Sequence, residues 1–150
     1  MSKLLYISLF SVFVFFTACE EDKYEKEYNW SYPLSGDWTI NVQYDGNTDG
    51  PFFMKTYNTS FGQDSIWIDD NGNFWPLKAK AKANVKNSSF DATNSLSYPG
   101  TRYEDEVTIQ NAKVINKDSI FFEVKFASDP DVLYQFSGHR RVSYDEYMSH

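Results

Sequence analysis

The chain predicts an all-β domain, an eight-stranded antiparallel up-and-down barrel. Eight stretches alternate apolar and polar residues with the period of a half-buried strand, turn signals separate them at short, regular intervals, and no convincing amphipathic helix interrupts them. Eight antiparallel strands can close on themselves, which removes exposed edges and leaves an interior wide enough for one small ligand. A two-sheet sandwich shares this pattern, and periodicity does not separate the two.

In the first strand, WTINVQY, the residues Trp38, Ile40, Val42 and Tyr44 alternate with Thr39, Asn41 and Gln43. DGNTDGP, residues 45–51, reads as the turn that follows. FFMKTYNTSF continues in aromatic and β-branched residues until Gly62, and DSIWID runs into DNGN, where Asn71-Gly72 is a hairpin signal. PLKAKAKA is the cleanest alternation, with Leu77, Ala79, Ala81 and Ala83 on one face and Lys78, Lys80 and Lys82 on the other. Ala and Lys also favour helices, but a helix would smear a two-residue period around its circumference. SFDATNSLSY repeats the alternation through Phe90, Ala92, Leu96 and Tyr98. After Pro99-Gly100 come EVTIQNAKVI and SIFFEVKFA, then a turn at Asp129-Pro130, then VLYQFSGHRR. The predicted inward set is Trp38, Ile40, Val42, Tyr44, Ile66, Ile68, Leu77, Ala79, Ala81, Phe90, Leu96, Val107, Ile109, Ile120, Phe122, Val124, Phe126, Tyr134 and Phe136.

The start of the chain reads as an address. Lys3 precedes an uncharged run, Leu4 to Phe16, that is well short of the roughly 18 to 20 residues a membrane-spanning helix needs. Thr17 and Ala18 are small and stop immediately before Cys19, the only cysteine. This arrangement resembles the lipobox of bacterial lipoproteins, with Phe16 where many have Leu. The resemblance implies a signal peptide over 1–18, lipidation of Cys19, and a chain held on a membrane through that lipid. Glu20, Glu21 and Asp22 resemble the signal that carries such lipoproteins to the cell surface, so the expected location is the cell envelope, on the outer membrane and surface-exposed. Each buried methylene contributes about 0.8 kcal/mol, so a multiply acylated cysteine anchors stably. No second cysteine remains for a disulfide.

Removing residues 1–18 leaves 13 basic against 21 acidic residues, a net charge of −8, which excludes nucleic acid as a partner. Residues 19–34 are charged and lack a sustained apolar period, and read as a tether, with Trp30 and Tyr32 candidates to pack at its end. The barrel domain is then 35–150 with a short C-terminal tail.

Gly36-Asp37-Trp38 opens the first strand and Gly138-His139-Arg140-Arg141 ends the last. The pair resembles the lipocalin and calycin superfamily, in which a Gly-x-Trp packs at the closed end of the barrel beneath an arginine. The phase of Val132, Tyr134 and Phe136 puts Gly138 and Arg140 on the same face, which makes Arg140 the candidate lid over Trp38, with Arg141 second. Together with the lipobox, these features are similar to lipocalin-like lipoproteins of Bacteroidota described as lipid-binding and sometimes labelled hydrolases.

Such a barrel implies a small hydrophobic, lipid-like ligand. Tyr44, Ala79, Ala81, Phe90, Phe122, Phe126, Tyr134 and Phe136 are the candidates to line its cavity, because the alanines leave volume that a ligand or opposing rings must fill. A packed core without a cavity is the alternative. A surface glycan site is a rival, suggested by Trp67 and Trp75 flanking the Asn71-Gly72 turn, with Trp67 facing outwards. A lipid or glycan hydrolase is the third reading. It would rest on His139, which strand phase puts on the outer face beside Ser137, or on the Glu104, Asp105 and Glu106 cluster. No Gly-x-Ser-x-Gly elbow and no zinc ligand set is present, and no cofactor is implied. Asp45, Asn47 and Asp49 have the spacing of the first half of a calcium loop, but Thr56 stands where the bidentate Glu would be.

Overall fold

The computed structural model describes residues 28–60 and 62–141; the expected signal peptide, Cys19 with its acidic neighbours, and the C-terminal tail lie outside them. Eight strands follow in order: β1 (Gly36–Tyr44), β2 (Asn47–Asn58), β3 (Ser65–Asp69), β4 (Lys78–Asn84), β5 (Ser89–Ser97), β6 (Asp105–Ile115), β7 (Ser119–Phe126) and β8 (Asp129–Arg140). A 3-10 turn, Val85–Asn87, joins β4 to β5. Each strand pairs antiparallel with the next and β8 pairs with β1, so the sheet is a closed barrel and the sandwich is excluded.

Alternation produces the core directly. Trp38, Ile40 and Val42 of β1 and Ala79 and Ala81 of β4 are completely buried, while Asn41, Gln43, Lys80 and Lys82 between them are exposed. Closure needs the first and last strands to approach closely, and Gly138 permits it: a Cβ there would collide with the backbone of Thr39 and Ile40.

Phase slips correct two stretches of the sequence reading. Asn94 takes a left-handed φ of 49°, and the β5 register shifts between Ala92 and Ser95. One face is thereby exchanged for the other, so Leu96, expected inside, is 45 % exposed, and Ser97 is completely buried instead. Asn111, at φ 53°, does the same for β6, which buries Val107 and Ile109 before the slip and Ala112 and Val114 after it.

Three boundaries also move. The turn expected over residues 45–51 is confined to Asp45-Gly46, and Asn47 already pairs with Tyr44. The turn expected at Asp129-Pro130 falls at Ala127-Ser128, with Asp129 already facing Phe126 in the ladder. The segment assigned to the tether enters the fold, because Leu34 and Ser31 are buried and Trp30 packs on the core, while Tyr32 is exposed and its ring lies 4.1 Å from that of Tyr28.

Candidate functional site

The two ends of the barrel are closed by different means. At one end Trp38 and Arg140 are direct partners across the β1–β8 seam, and the Arg140 guanidinium carbon lies 4.5 Å from the indole ring centre. Arg140 Nη1–H donates to the Ser35 carbonyl at 2.6 Å and its Nε–H to the Lys117 carbonyl at 2.6 Å, tying the entering segment and the β6–β7 turn to the lid. Beneath it, Trp38 Nε1–H donates to Thr56 Oγ1 at 2.8 Å, and that hydroxyl donates to the Leu34 carbonyl at 2.6 Å. Arg141, the second candidate, instead covers Phe53 at 4.3 Å.

A loop closes the opposite end. Residues 70–77 between β3 and β4 turn through Asn71 and Gly72, both at left-handed φ (54° and 69°), and then lay Phe74 and Trp75 over the mouth. Phe74 contacts the rings of Tyr44, Phe52, Tyr134 and Phe136 at 5.4 to 5.9 Å between centroids. Trp75 meets Phe126 at 5.4 Å and Tyr134 at 6.1 Å. Asp70 organises the loop. Its carboxylate, completely buried, accepts from the backbone N–H groups of Gly72 (2.7 Å), Trp75 (3.0 Å), Phe74 (3.3 Å) and Leu77 (3.4 Å). Burial pushes its pKa up, against those four N–H groups, which favour the charged form.

The interior between the two ends is aromatic. Phe90, Phe122 and Phe136 follow one another at 5.7 and 4.7 Å, the second pair stacked, and Phe136 reaches Phe74 at 5.9 Å. Tyr44 and Tyr134 face each other at 5.2 Å near the mouth, and each phenol donates to a carboxylate at 2.6 Å, Tyr44 to Asp49 and Tyr134 to Asp129. Burial, with the Asp129 bond second, holds the Tyr134 phenol up to about 12. Of the sequence-predicted lining residues, Ala79, Ala81, Phe90, Phe122, Phe126, Tyr134 and Phe136 are buried in this interior and Tyr44 is half-buried at its rim. Phe74 and Phe52 were missed. Phe74 comes from a loop, where no periodicity marks a side chain as inward.

Other expected constellations are not assembled. Trp67 faces outwards, with Lys80 Nζ 5.7 Å from its ring centre, whereas Trp75 turns into the mouth, so the two indoles form no common platform. His139 is exposed on the outer face, opposite Thr39 and Ser119. Two of the acids at the start of β6 serve turns: Asp105 accepts from the Ser128 hydroxyl at 2.6 Å and Glu104 from the Gly100 N–H at 2.5 Å. Asp45, Asn47 and Asp49 lie along a hairpin rather than a wrapped loop, which spreads their oxygens, and the Asp49 carboxylate takes the Tyr44 hydroxyl. Among the described residues no three His, Cys, Asp or Glu side chains gather to hold a metal ion.

What remains is a closed barrel with an aromatic interior, an arginine lid at one end and an aromatic loop plug at the other. No curated protein matches the chain. Residues 23–145 match the model of the family described as lipid-binding putative hydrolase, and the chain belongs to that family.

Proposed function

We infer that the barrel takes a small hydrophobic, lipid-like molecule into its aromatic half, with the Phe74–Trp75 loop withdrawn. The observation that carries this reading is the origin of the plug. Phe74 and Trp75 are half-buried side chains of a connecting loop, so moving them vacates an apolar site without breaking a strand ladder. The family's lipid-binding description supports it. The hydrolase half of that description draws no support from His139, which faces away from the interior. The lipobox reading adds that the protein works as an envelope lipoprotein, held on the outer membrane through Cys19 and facing outwards.

Titration with the uncharged dye Nile red tests the binding. The dye is expected to brighten and shift to the blue with the wild-type chain, and to bind more tightly to Phe74→Ala/Trp75→Ala, because a dry apolar cavity accepts apolar guests. Failure of both proteins to take up dye would remove the reading. Incorporation of labelled palmitate, abolished by Cys19→Ala, tests the anchor separately.

A further inference from the structure

Between β4 and β5 the strand pairing of the barrel wall is interrupted. Ala79 partners Ser97 and Lys82 partners Asp91, but two residues of β4 and five of β5 separate those rungs. The bulge at Asn94 takes up part of the excess. A hydroxyl bridges the gap: Ser95 Oγ–H donates to the Lys80 carbonyl at 2.9 Å. The residues that face inward beside the gap are Ala79, Ala81 and Ala92, so the wall itself carries only methyl side chains there.

Outside, the seam lies in a groove of ≈ 600 Å³ lined by Asp64, Lys80, Lys82, Asp91, Thr93 and Ser95. Ala92 lines the same groove and also belongs to the hydrophobic core, so the floor of the groove is a wall residue of the interior. Two lysines face two aspartates, so the formal charges balance. A simple fatty carboxylate would meet repulsion from both aspartates, whereas a head bearing phosphate and ammonium can pair with both signs.

Building on the reading that the interior holds a lipid-like chain, we propose that this groove is a headgroup site for a zwitterionic, single-tailed phospholipid. Its tail passes between β4 and β5, past Ala81 and Ala92, into the barrel. The interrupted pairing and the small side chains beside it make this stretch of the wall suited to a lateral entrance.

The test uses the full chain carrying Cys19→Ala, so that no attached acyl chain competes, with Nile red reporting the interior and lysophosphatidylethanolamine as competitor. Lysophosphatidylethanolamine is expected to displace the dye, better than a fatty acid with the same tail and far better than phosphoethanolamine without one. Lys82→Ala/Asp91→Ala should weaken that displacement about tenfold while dye affinity stays within about twofold. A diazirine on the lipid head gives a readout that needs no variant: labelling should fall on residues 80–82 and 91–95. Dye binding without displacement by the lysolipid, equal displacement by the fatty acid, or labelling confined to the plugged mouth would overturn the headgroup site and leave the interior reading standing. Uptake of neither dye nor lysolipid would remove both.

Discussion

Burial of the Asp70 carboxylate is tolerated because four backbone N–H groups converge on it, and the same four bonds shape the loop that carries Phe74 and Trp75. Desolvation nevertheless wins, and the folded protein holds this proton to higher pH than the unfolded chain does. The sign of the linkage follows. Asp70's contribution to stability is complete below the ordinary carboxylate value, declines as pH rises to the raised value, and is level above it. Asp70→Asn cannot ionise and should remove that decline, while costing about 1–3 kcal/mol for N–H groups left without an acceptor. Urea midpoints measured across this pH window check both effects, and an unchanged slope would count against the assignment. Asp70 precedes Asn71-Gly72, so the turn was legible in the sequence. Its role as the hub of a plug was not, because its four partners are assembled by the loop's tertiary placement against the barrel mouth.

At the scale of elements, the β1–β8 seam and the β4–β5 seam are opposites. Gly138 lets β8 approach β1 so closely that any side chain would strike backbone, whereas Gly36, at the start of β1 and paired with β2, is covered by the guanidinium end of the Arg140 side chain. Gly138→Ala should therefore destabilise by roughly 3 kcal/mol or more, and Gly36→Ala by only about 1 kcal/mol, since backbone yields less readily than a flexible side chain. Chemical denaturation of the two variants checks the order, and equal losses would refute it. The alternation of β1, β4 and β7 could be read residue by residue, since a strand's period is a local property. Leu96 could not be placed, because a single extra residue at Asn94 inverts every later side chain, and nothing in SFDATNSLSY distinguishes a bulge from an uninterrupted strand. Ala112 and Val114 escaped for the same reason at Asn111.

On the scale of the whole molecule, the β1–β8 ladder joins residues about a hundred positions apart, and Arg140 reinforces that closure. Its donors reach Ser35 and Lys117, and its charge lies over Trp38. Arg140→Met keeps the stem but loses both bonds and the cation over the ring, and should cost about 1–3 kcal/mol with a change in the near-ultraviolet signal of Trp38. An unaltered denaturation midpoint would show that the lid is ornamental to stability. The sequence by itself determined the strand count, the inward faces before each bulge, and the Trp38 and Arg140 positions, because alternation and phase are written in consecutive residues. Only the tertiary structure decided that Leu34 joins the core, that Phe74 and Trp75 seal the mouth, and that β4 and β5 shift register. Those outcomes depend on which surfaces meet when the sheet closes, and such contacts leave no periodic trace along the chain.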